Sequence, residues 1–325
     1  MSTPAQALCQ ELAQARPGRP VAATFGVFDG VHRGHQHLLA RLRDAAGRRE
    51  LAPVAITLTN HPLLVLRPQA PVLLLESMNE RLRRLRGEGI PTVIPLSFTR
   101  ELARMPAEEF MEAMAECLGL RHFVVGPDFA LGRDREGNVE TLARLGERLG
   151  YTVEVVQPFL LDGRPVRSTA VRRALAEGDL ATAERFLGRR FSLDAPVVEG
   201  EGRGGGLLGF PTANLGLGPL QALPADGVYA CWLEADGVRY PAATSVGTKP
   251  TFHDDGPRVV EAFVLDFDGD LYGKQVRLEF AERLRGQERY DSVDALVAQI
   301  RADVDATRAA LGAPALTDEP RGGAE

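Results

Sequence analysis

The sequence is poor in cysteine and has no apolar run long enough to cross a membrane. Its three cysteines, Cys9, Cys117 and Cys231, are far apart and match neither a metal-site spacing nor an even-numbered disulfide framework. A reducing cytoplasm is therefore the expected setting. The first residues also lack the basic stretch and apolar run of a signal peptide, which agrees with a cytoplasmic location.

Positive charge is not in excess either, because 38 Lys and Arg residues are outnumbered by 44 Asp and Glu residues, for a net charge of −6. This balance argues against a general binder of nucleic acids or membrane surfaces. The 325 residues are 44% hydrophobic and 25% charged, as in folded soluble proteins, and suffice for two domains. We expect small-molecule partners, with no nucleic-acid or membrane partner, and a monomer or weak homo-oligomer.

The first half of the chain alternates short apolar runs with amphipathic helical patterns. Strands are predicted over 21–28, 53–59, 90–96, 122–126 and 151–158, and helices over 35–49, 81–89, 107–120 and 139–150. Strands that alternate with helices predict a parallel sheet that is covered on both faces. Two short helices are predicted to follow over 170–188.

From about residue 187 the pattern changes to closely spaced β-type runs that are separated by Gly, Pro and Asp turns. This spacing predicts a compact antiparallel barrel or sandwich, closed by one amphipathic helix over 292–312. We therefore expect two different domains, 1–186 and 187–312. A tail over 313–325 follows them, and its Gly, Pro and Glu content predicts disorder.

The most informative stretch is TFGVFDGVHRGHQHLL, in which a strand runs into Gly26, a turn at Asp29 and Gly30, and a helix that starts near His32 and His35. The carboxyl ends of parallel strands bind ligands, and helix starts attract phosphate. The two histidines are three residues apart and share one face of the first turn. They could donate hydrogen bonds to charge that develops on a phosphate, although a metal pair and a surface pair are rival interpretations.

A second candidate site follows the glycine-dense stretch VEGEGRGGGLLGFPTANL, which is not a Walker A loop because no Gly-Lys-Ser/Thr follows. Thr212 and Asn214 alternate, so on an extended chain they point to one face, and their oxygens suit Mg²⁺. A linker followed by a turn is the alternative. Glu261 lies in an apolar strand, which indicates either a site or the solvent face of an edge strand.

The segment GVFDGVHRGH resembles the HxGH signature of the nucleotidyltransferase superfamily, and in this form it is similar to prokaryotic FAD synthetases, the bifunctional riboflavin kinase/FMN adenylyltransferases. GFPTAN resembles riboflavin kinases, and the similarity runs from about Val21 to Leu311. The resemblance implies an α/β Rossmann-like nucleotidyltransferase domain followed by a small antiparallel β-barrel domain with a C-terminal helix. It also implies that riboflavin and ATP give FMN and ADP, and that FMN and ATP then give FAD and pyrophosphate, both with Mg²⁺.

In the first half, the resemblance implies that His32 and His35 are catalytic and stabilise the reacting phosphates of ATP. The segments TLTNHP, VVGPDFALGRDREGN and RSTAVRRAL match three later family segments. The implied ATP and phosphate contacts are Gly26, Phe28, Asp29, Gly30, His61, Asp128, Ser168, Thr169 and Arg172. The chain departs from the family at Leu58 and Asn60, which replace an aromatic residue and a proline, and at Arg167, which replaces a serine.

In the second half, the resemblance implies that Glu261 is the general base for the riboflavin 5′-hydroxyl, with Thr212 and Asn214 at the metal. It further implies phosphate contacts by Arg203 and Gly209 and flavin contacts by Phe210, Pro211 and Arg285. Gly206 stands where the family has an arginine, and Arg203 lies near enough in sequence to replace it.

Two other function classes stay open at this point. The HxGH half alone also fits a nucleotidyltransferase with another acceptor, such as a pantetheine phosphate or nicotinamide mononucleotide. A flavin-binding sensor that has lost its chemistry is the non-enzymatic alternative. The GFPTAN and VEAFVLDF segments favour the flavin enzyme over the first, and the presence of His32, His35 and Glu261 favours it over the second.

Overall fold

The computed structural model describes residues 3–69, 72–199, 212–248 and 258–313. The chain divides into two compact units, Met1–Ala170 with Phe186–Gly188, and Val171–Arg185 with Arg189–Glu325. Apart from Ala313, the tail that was predicted to be disordered lies outside the described residues. In the described part of the chain, no helix combines the length and the apolar character that crossing a membrane requires.

The first unit is built on a parallel sheet. Its strands are β1 Val21–Gly26, β2 Ala52–Leu58, β3 Thr92–Leu96, β4 Leu120–Val125, β5 Ala130–Leu131, β6 Gly137–Asn138, β7 Thr152–Val155, β8 Leu160–Leu161 and β9 Arg164–Pro165. The five parallel strands lie in the order β3-β2-β1-β4-β7, while β5-β6 and β8-β9 are two short antiparallel ribbons. The prediction of a parallel sheet is confirmed.

Helices cover both faces of this sheet. They are α1 Pro4–Gln14, α2 Arg33–Arg48, α3 Pro62–Leu66, α4 Met78–Gly87, α5 Arg100–Arg104, α6 Ala107–Ala113 and α7 Val139–Leu149, with a π-turn over Met114–Leu118 and a 3₁₀ turn over Arg133–Arg135. One apolar cluster contains Leu12, Phe110 and Leu142 from α1, α6 and α7. A second contains Leu42 and Leu85 from α2 and α4. These are the two buried layers that a parallel sheet requires.

Helix α1 and its disulfide are features that the sequence pattern did not predict. Cys9 on α1 is bonded to Cys117 in the π-turn, with 5.4 Å between the two Cα atoms. The expectation that the cysteines form no disulfide is therefore wrong for this pair. The two residues are separated by 108 positions, and spacing along the chain gives no information on so distant a contact. The third cysteine, Cys231, is a buried thiol, and burial raises its pKa to about 12.

The second unit contains a closed antiparallel barrel. Its strands are β10 Ser192–Val198, β11 Thr212–Leu215, β12 Gly227–Ala235, β13 Val238–Thr248, β14 Arg258–Val264 and β15 Gln275–Arg285, in the cyclic order β10-β11-β14-β13-β12-β15. Of the two predicted architectures, the barrel is the one that forms. The two predicted short helices are α8 Ser168–Ala176 and α9 Leu180–Leu187. Helix α10 Val293–Leu311 packs on β12, β13 and β15.

Candidate functional sites

The carboxyl-terminal edge of the parallel sheet carries the residues predicted to bind nucleotide. Gly26 ends β1 and leads into α2, His61 follows β2, and Asp128 follows β4. Because β1, β2 and β4 are parallel, their carboxyl ends meet at one edge. The sheet topology therefore brings these three sequence motifs to the same side of the unit.

The turn between β1 and α2 has an unusual backbone. Three of its six residues, Phe28, Gly30 and Val31, have positive φ angles of 52°, 82° and 34°. A positive φ is ordinary for glycine but strained for a β-branched residue such as Val31, and such strain collects at functional sites. The Phe28 side chain is 2% exposed, and its ring meets His35 edge-on at 5.2 Å between centroids.

The two predicted catalytic histidines are stacked at the start of α2. Their ring centroids are 3.7 Å apart and the ring planes differ by 17°. His32 is the N-cap residue of α2, and its Nδ1 accepts a hydrogen bond of 3.3 Å from the backbone N–H of His35. An Nδ1 that accepts leaves the proton of a neutral His32 on Nε2, which can then donate to a ligand.

His35 is held in its neutral form. Burial lowers the pKa of His35 well below its usual value, and the neighbouring His32 ring and the Arg81 guanidinium lower it further. Among the described residues, nothing forms a hydrogen bond with the buried Nδ1 atom of His35. A neutral imidazole has one N–H group. It can therefore donate a hydrogen bond to an anion without first taking up a proton from solution.

Gly34, between the two histidines, is required by close packing. A Cβ atom at this position would lie 2.8 Å from the carbonyl oxygen of Val166 and 3.1 Å from the His32 ring. The first turn of α2 therefore fits against the segment that precedes α8 only because residue 34 has no side chain. The glycine of the HxGH motif is in this way a packing residue.

The Ser168 segment is bonded to the same turn. The hydroxyl of Ser168 donates a 2.9 Å hydrogen bond to the backbone carbonyl of Asp29. Thr169 is exposed at the start of α8, and Arg172 lies one turn further along that helix, past the boundary between the two units. The structure therefore joins Ser168 to the turn that precedes the histidine pair.

Two further residues that were predicted to bind nucleotide interact with other protein groups. The Nδ1 atom of His61 accepts a 3.2 Å hydrogen bond from the N–H of Leu63 and so caps α3. Asp128 is exposed and forms a 2.7 Å ion pair with Arg167. Arg167, the residue that departs from the family pattern, thus supplies a cation beside a predicted adenosine contact.

The predicted kinase residues share one row on the outer face of the barrel. Glu261 on β14 pairs in register with Asn214 on β11 and with Ser245 on β13, and partners in an antiparallel register point to the same face. Thr212 lies two residues before Asn214 on that same face. Strand β14 has a neighbour on each side, so Glu261 is not on an edge strand. Its side chain is half-buried beside oxygen-bearing neighbours.

Arg285 already has a protein partner. Its Nε and Nη2 atoms donate to the two carboxylate oxygens of Asp303 on α10, at 2.8 and 2.7 Å. The hydrogen bond with Asp303 raises the pKa of Arg285. The residue predicted to contact flavin therefore fastens α10 to β15. The other predicted loop residues, Arg203, Gly206, Gly209, Phe210 and Pro211, lie outside the described residues.

Sequence reasoning missed three charged residues beneath the first site. Arg81 is 1% exposed and donates to the carbonyl of Leu58 at 2.9 Å and to Asp29 at 3.3 Å. Glu76 accepts a 2.9 Å hydrogen bond from the N–H of Gly30 and pairs with Arg84 at 3.1 Å. The sequence offers little signal for the two arginines, because α4 is rich in charge and its pattern is typical of a solvated helix, and Glu76 lies in the segment before that helix.

Comparison with known proteins agrees with this arrangement. Residues 15–170 match the FAD synthetase family model, and residues 187–311 match the riboflavin kinase model. The bifunctional riboflavin kinase/FMN adenylyltransferase of Pseudomonas fluorescens is 39% identical over 91% of this chain and 94% of its own length. The enzyme of the same name from Escherichia coli (strain K12) is 35% identical over 90% of this chain and 93% of its own length.

A solved structure described as a macrolide-efflux protein from Streptococcus pneumoniae has a TM-score of 0.80 and 33% identity, over 90% of this chain and 95% of that one. The fold and the two family models define an enzyme with a nucleotidyltransferase half and a riboflavin kinase half. The chain belongs to the bifunctional riboflavin kinase/FMN adenylyltransferase family. The expected function, riboflavin to FMN and then FMN to FAD, is confirmed at the level of the family and of both domains.

Proposed function

We propose that the stacked pair of histidines in the first unit performs the adenylyl transfer. A phosphate oxygen of FMN attacks the α-phosphorus of ATP, and the bond to pyrophosphate breaks. His32 donates from Nε2, and neutral His35 donates its one N–H, to oxygens on which negative charge grows. The observation that carries this proposal is the 3.7 Å stack at the start of α2, where the helix dipole also favours an anion.

Around this pair we propose the remaining nucleotide contacts. Backbone groups of the strained turn bind phosphate. The shape of this turn is set by Gly26, Phe28, Asp29 and Gly30. Side chains that follow β2 and β4 or open α8 complete the set, namely His61, Asp128, Ser168, Thr169 and Arg172. Their support is the common sheet edge and the hydrogen bond between Ser168 and the turn.

In the barrel, we propose that Glu261 is the general base for the riboflavin 5′-hydroxyl. Its carboxylate accepts the hydroxyl proton while the oxygen attacks the γ-phosphorus of ATP and the bond to ADP breaks. The support is its half-buried position in register between Asn214 and Ser245. Arg203 and Gly209 are proposed phosphate contacts, and Phe210, Pro211 and Arg285 proposed flavin contacts.

The residues near Glu261 also fit a magnesium ion. A hydroxyl, an amide oxygen and a carboxylate, from Thr212, Asn214 and Glu261, share one face, and oxygen donors of this kind suit a hard cation. We propose that Thr212 and Asn214 hold it. When bound, the ion neutralises charge on the ATP phosphates. In its absence, Glu261 still provides the base and Asn214 still provides a polar neighbour.

The test is incubation of the full chain with riboflavin, ATP and Mg²⁺, followed by chromatography of the flavins. The parent protein should form FMN and then FAD. His35→Ala should accumulate FMN, because only the adenylyl transfer is lost, and Glu261→Gln should convert supplied FMN to FAD but leave riboflavin unchanged. FMN formation lost in folded His35→Ala would contradict the two-site assignment, as would full kinase activity in Glu261→Gln.

The same assay separates the other candidates. If pantetheine phosphate or nicotinamide mononucleotide replaced FMN as the better acceptor, the adenylyl-transfer proposal would be wrong in its substrate. Flavin binding without turnover would identify a sensor. We further propose residues 1–186 and 187–312 as the two functional domains, and a monomer or weak homo-oligomer in the cytoplasm. Sedimentation velocity and cell fractionation test the last two points.

A further inference from the structure

We propose that Arg81 and Glu76 are positioning residues for the adenylyl transfer, which hold the strained turn before α2 so that His32 and His35 face the nucleotide. This inference rests on the proposed function of the histidine pair. It adds to that function a buried ion cluster that holds the turn before the two histidines. We define the ion cluster as Asp29, Glu76, Arg81 and Arg84.

The ion cluster joins two segments that carry proposed nucleotide-binding residues. One nitrogen of Arg81 donates to the carbonyl of Leu58, the last residue of β2, at 2.9 Å, and another donates to Asp29 in the turn after β1, at 3.3 Å. The backbone N–H of Leu75 donates to both oxygens of Asp29 at 3.0 and 3.1 Å. A single buried guanidinium thus fixes the spacing between the turn that leads to the histidines and the segment that leads to His61.

Glu76 holds the other side of the turn. Its Oε1 accepts the 2.9 Å hydrogen bond from Gly30, and its Oε2 lies 3.1 Å from Nε of Arg84. The bonded N–H belongs to a residue with a φ of 82°, directly before Val31 with its φ of 34°. Strained backbone of this kind persists only where the surroundings over-determine it. The bond from Gly30 to Glu76 supplies that constraint directly before the strained residue, Val31.

The ion cluster also bears on the histidines through charge. The Arg81 guanidinium is one of the groups that lower the pKa of His35. Asp29 and Glu76 balance it nearby, so the ion cluster contributes a fixed, nearly neutral arrangement rather than a net charge. A purely structural network would contribute only to folding. A network that fixes donor geometry contributes to the rate of the chemical step more than to substrate binding.

The experiment uses the full chain, so that the kinase reaction in the second unit serves as an internal measure of intact protein. Glu76→Gln keeps the size but replaces one acceptor oxygen by an NH₂ donor, which must then face either the N–H of Gly30 or the Arg84 guanidinium. Arg81→Met keeps the length but removes all donors. Arg83→Met is the matched control on the same helix, because Arg83 pairs with Glu80 and its side chain is 56% exposed. Parent protein and His35→Ala are measured beside them.

We expect kcat for FMN adenylylation to fall by about 10- to 100-fold in Glu76→Gln and Arg81→Met, as for other losses of alignment. KM for ATP and for FMN should stay within about threefold, and the kinase rate should be unchanged. Arg83→Met should behave as the parent does. Arg81→Lys should recover part of the loss, since it restores the charge and a single donor nitrogen in place of the two that Arg81 uses.

Adenylylation within about threefold of the parent in folded Glu76→Gln and Arg81→Met would overturn the proposal. So would a rise in KM at constant kcat, because that result indicates lost binding rather than lost alignment. An active parent with inactive His35→Ala and unaffected ion-cluster variants would refute this inference alone. Full adenylylation by His35→Ala would instead refute the proposed function on which it rests.

Discussion

Asp303→Ala is the substitution for which the barrel gives the sharpest expectation. The Asp303 carboxylate receives both Arg285 donors and also a 3.0 Å hydrogen bond from Gln299. Its removal leaves the Arg285 guanidinium without its partner beside α10 and leaves the amide of Gln299 without an acceptor. The helix is then fastened to β15 by apolar packing and by its remaining polar contacts.

The magnitude follows from burial. Removing one member of a buried ion pair costs about 3–5 kcal/mol when the remaining charge is cut off from water. Asp303 is 6% exposed, but 19% of the Arg285 side chain is accessible, so water can solvate part of the stranded cation. We therefore expect the free energy of unfolding of the barrel to fall by about 2–3 kcal/mol, less than for a fully buried pair.

The assay is urea unfolding followed by tryptophan fluorescence. Trp232 is the single tryptophan of the chain and lies on β12, so its signal reports the barrel rather than the first unit. Asp305→Ala is the matched control, since Asp305 lies on the same helix and is exposed. Equal stabilities of the two variants, within about 0.5 kcal/mol, would refute the reasoning. A double-mutant cycle with Arg285→Ala isolates the pairwise energy.

Two further predictions concern the first unit. Gly34→Ala should lower kcat for adenylylation at least tenfold while sparing the kinase, because its Cβ would meet the carbonyl of Val166, whereas Gly47→Ala on the same helix, with open space around it, should leave the steady-state rates unchanged. Equal rates for the two variants would contradict the packing argument. Under oxidising conditions, Cys9→Ser should lower the free energy of unfolding by about 2–4 kcal/mol through loss of the bond to Cys117. If the denaturant midpoint of the parent protein were the same with and without reductant, the disulfide would contribute nothing to stability.

Periodicity predicted most of the fold because it reflects local chemistry. Helix α2 was placed to within two residues of its observed bounds, since its apolar residues recur every three to four positions and form one buried face. The predicted helix over 107–120 failed in detail, because the α-helix ends at Ala113 and continues as a π-turn. The shift from α to π bonding leaves the apolar pattern almost intact, so periodicity cannot reveal it.

The candidate sites were predicted less completely, and the missing part is long-range. His32 and His35 were found because the strand, the turn and the helix start adjoin in sequence. The contact of Arg81 with Asp29 spans 52 positions and joins a charged helix to a glycine turn. No local pattern distinguishes a buried arginine on such a helix from an exposed one, as Arg83 two residues further on demonstrates.

The two sites are held in position by different physical means. The first depends on a strained turn and a buried ion cluster, so single polar substitutions there can displace the histidines. The second depends on strand register, because Val260, Ala262 and Val264 fill the barrel while the residues between them face outward. A slip of one residue in β14 would carry Glu261 into the apolar interior and expose its neighbours. The cost of that exchange fixes the position of the proposed base as firmly as a hydrogen bond would.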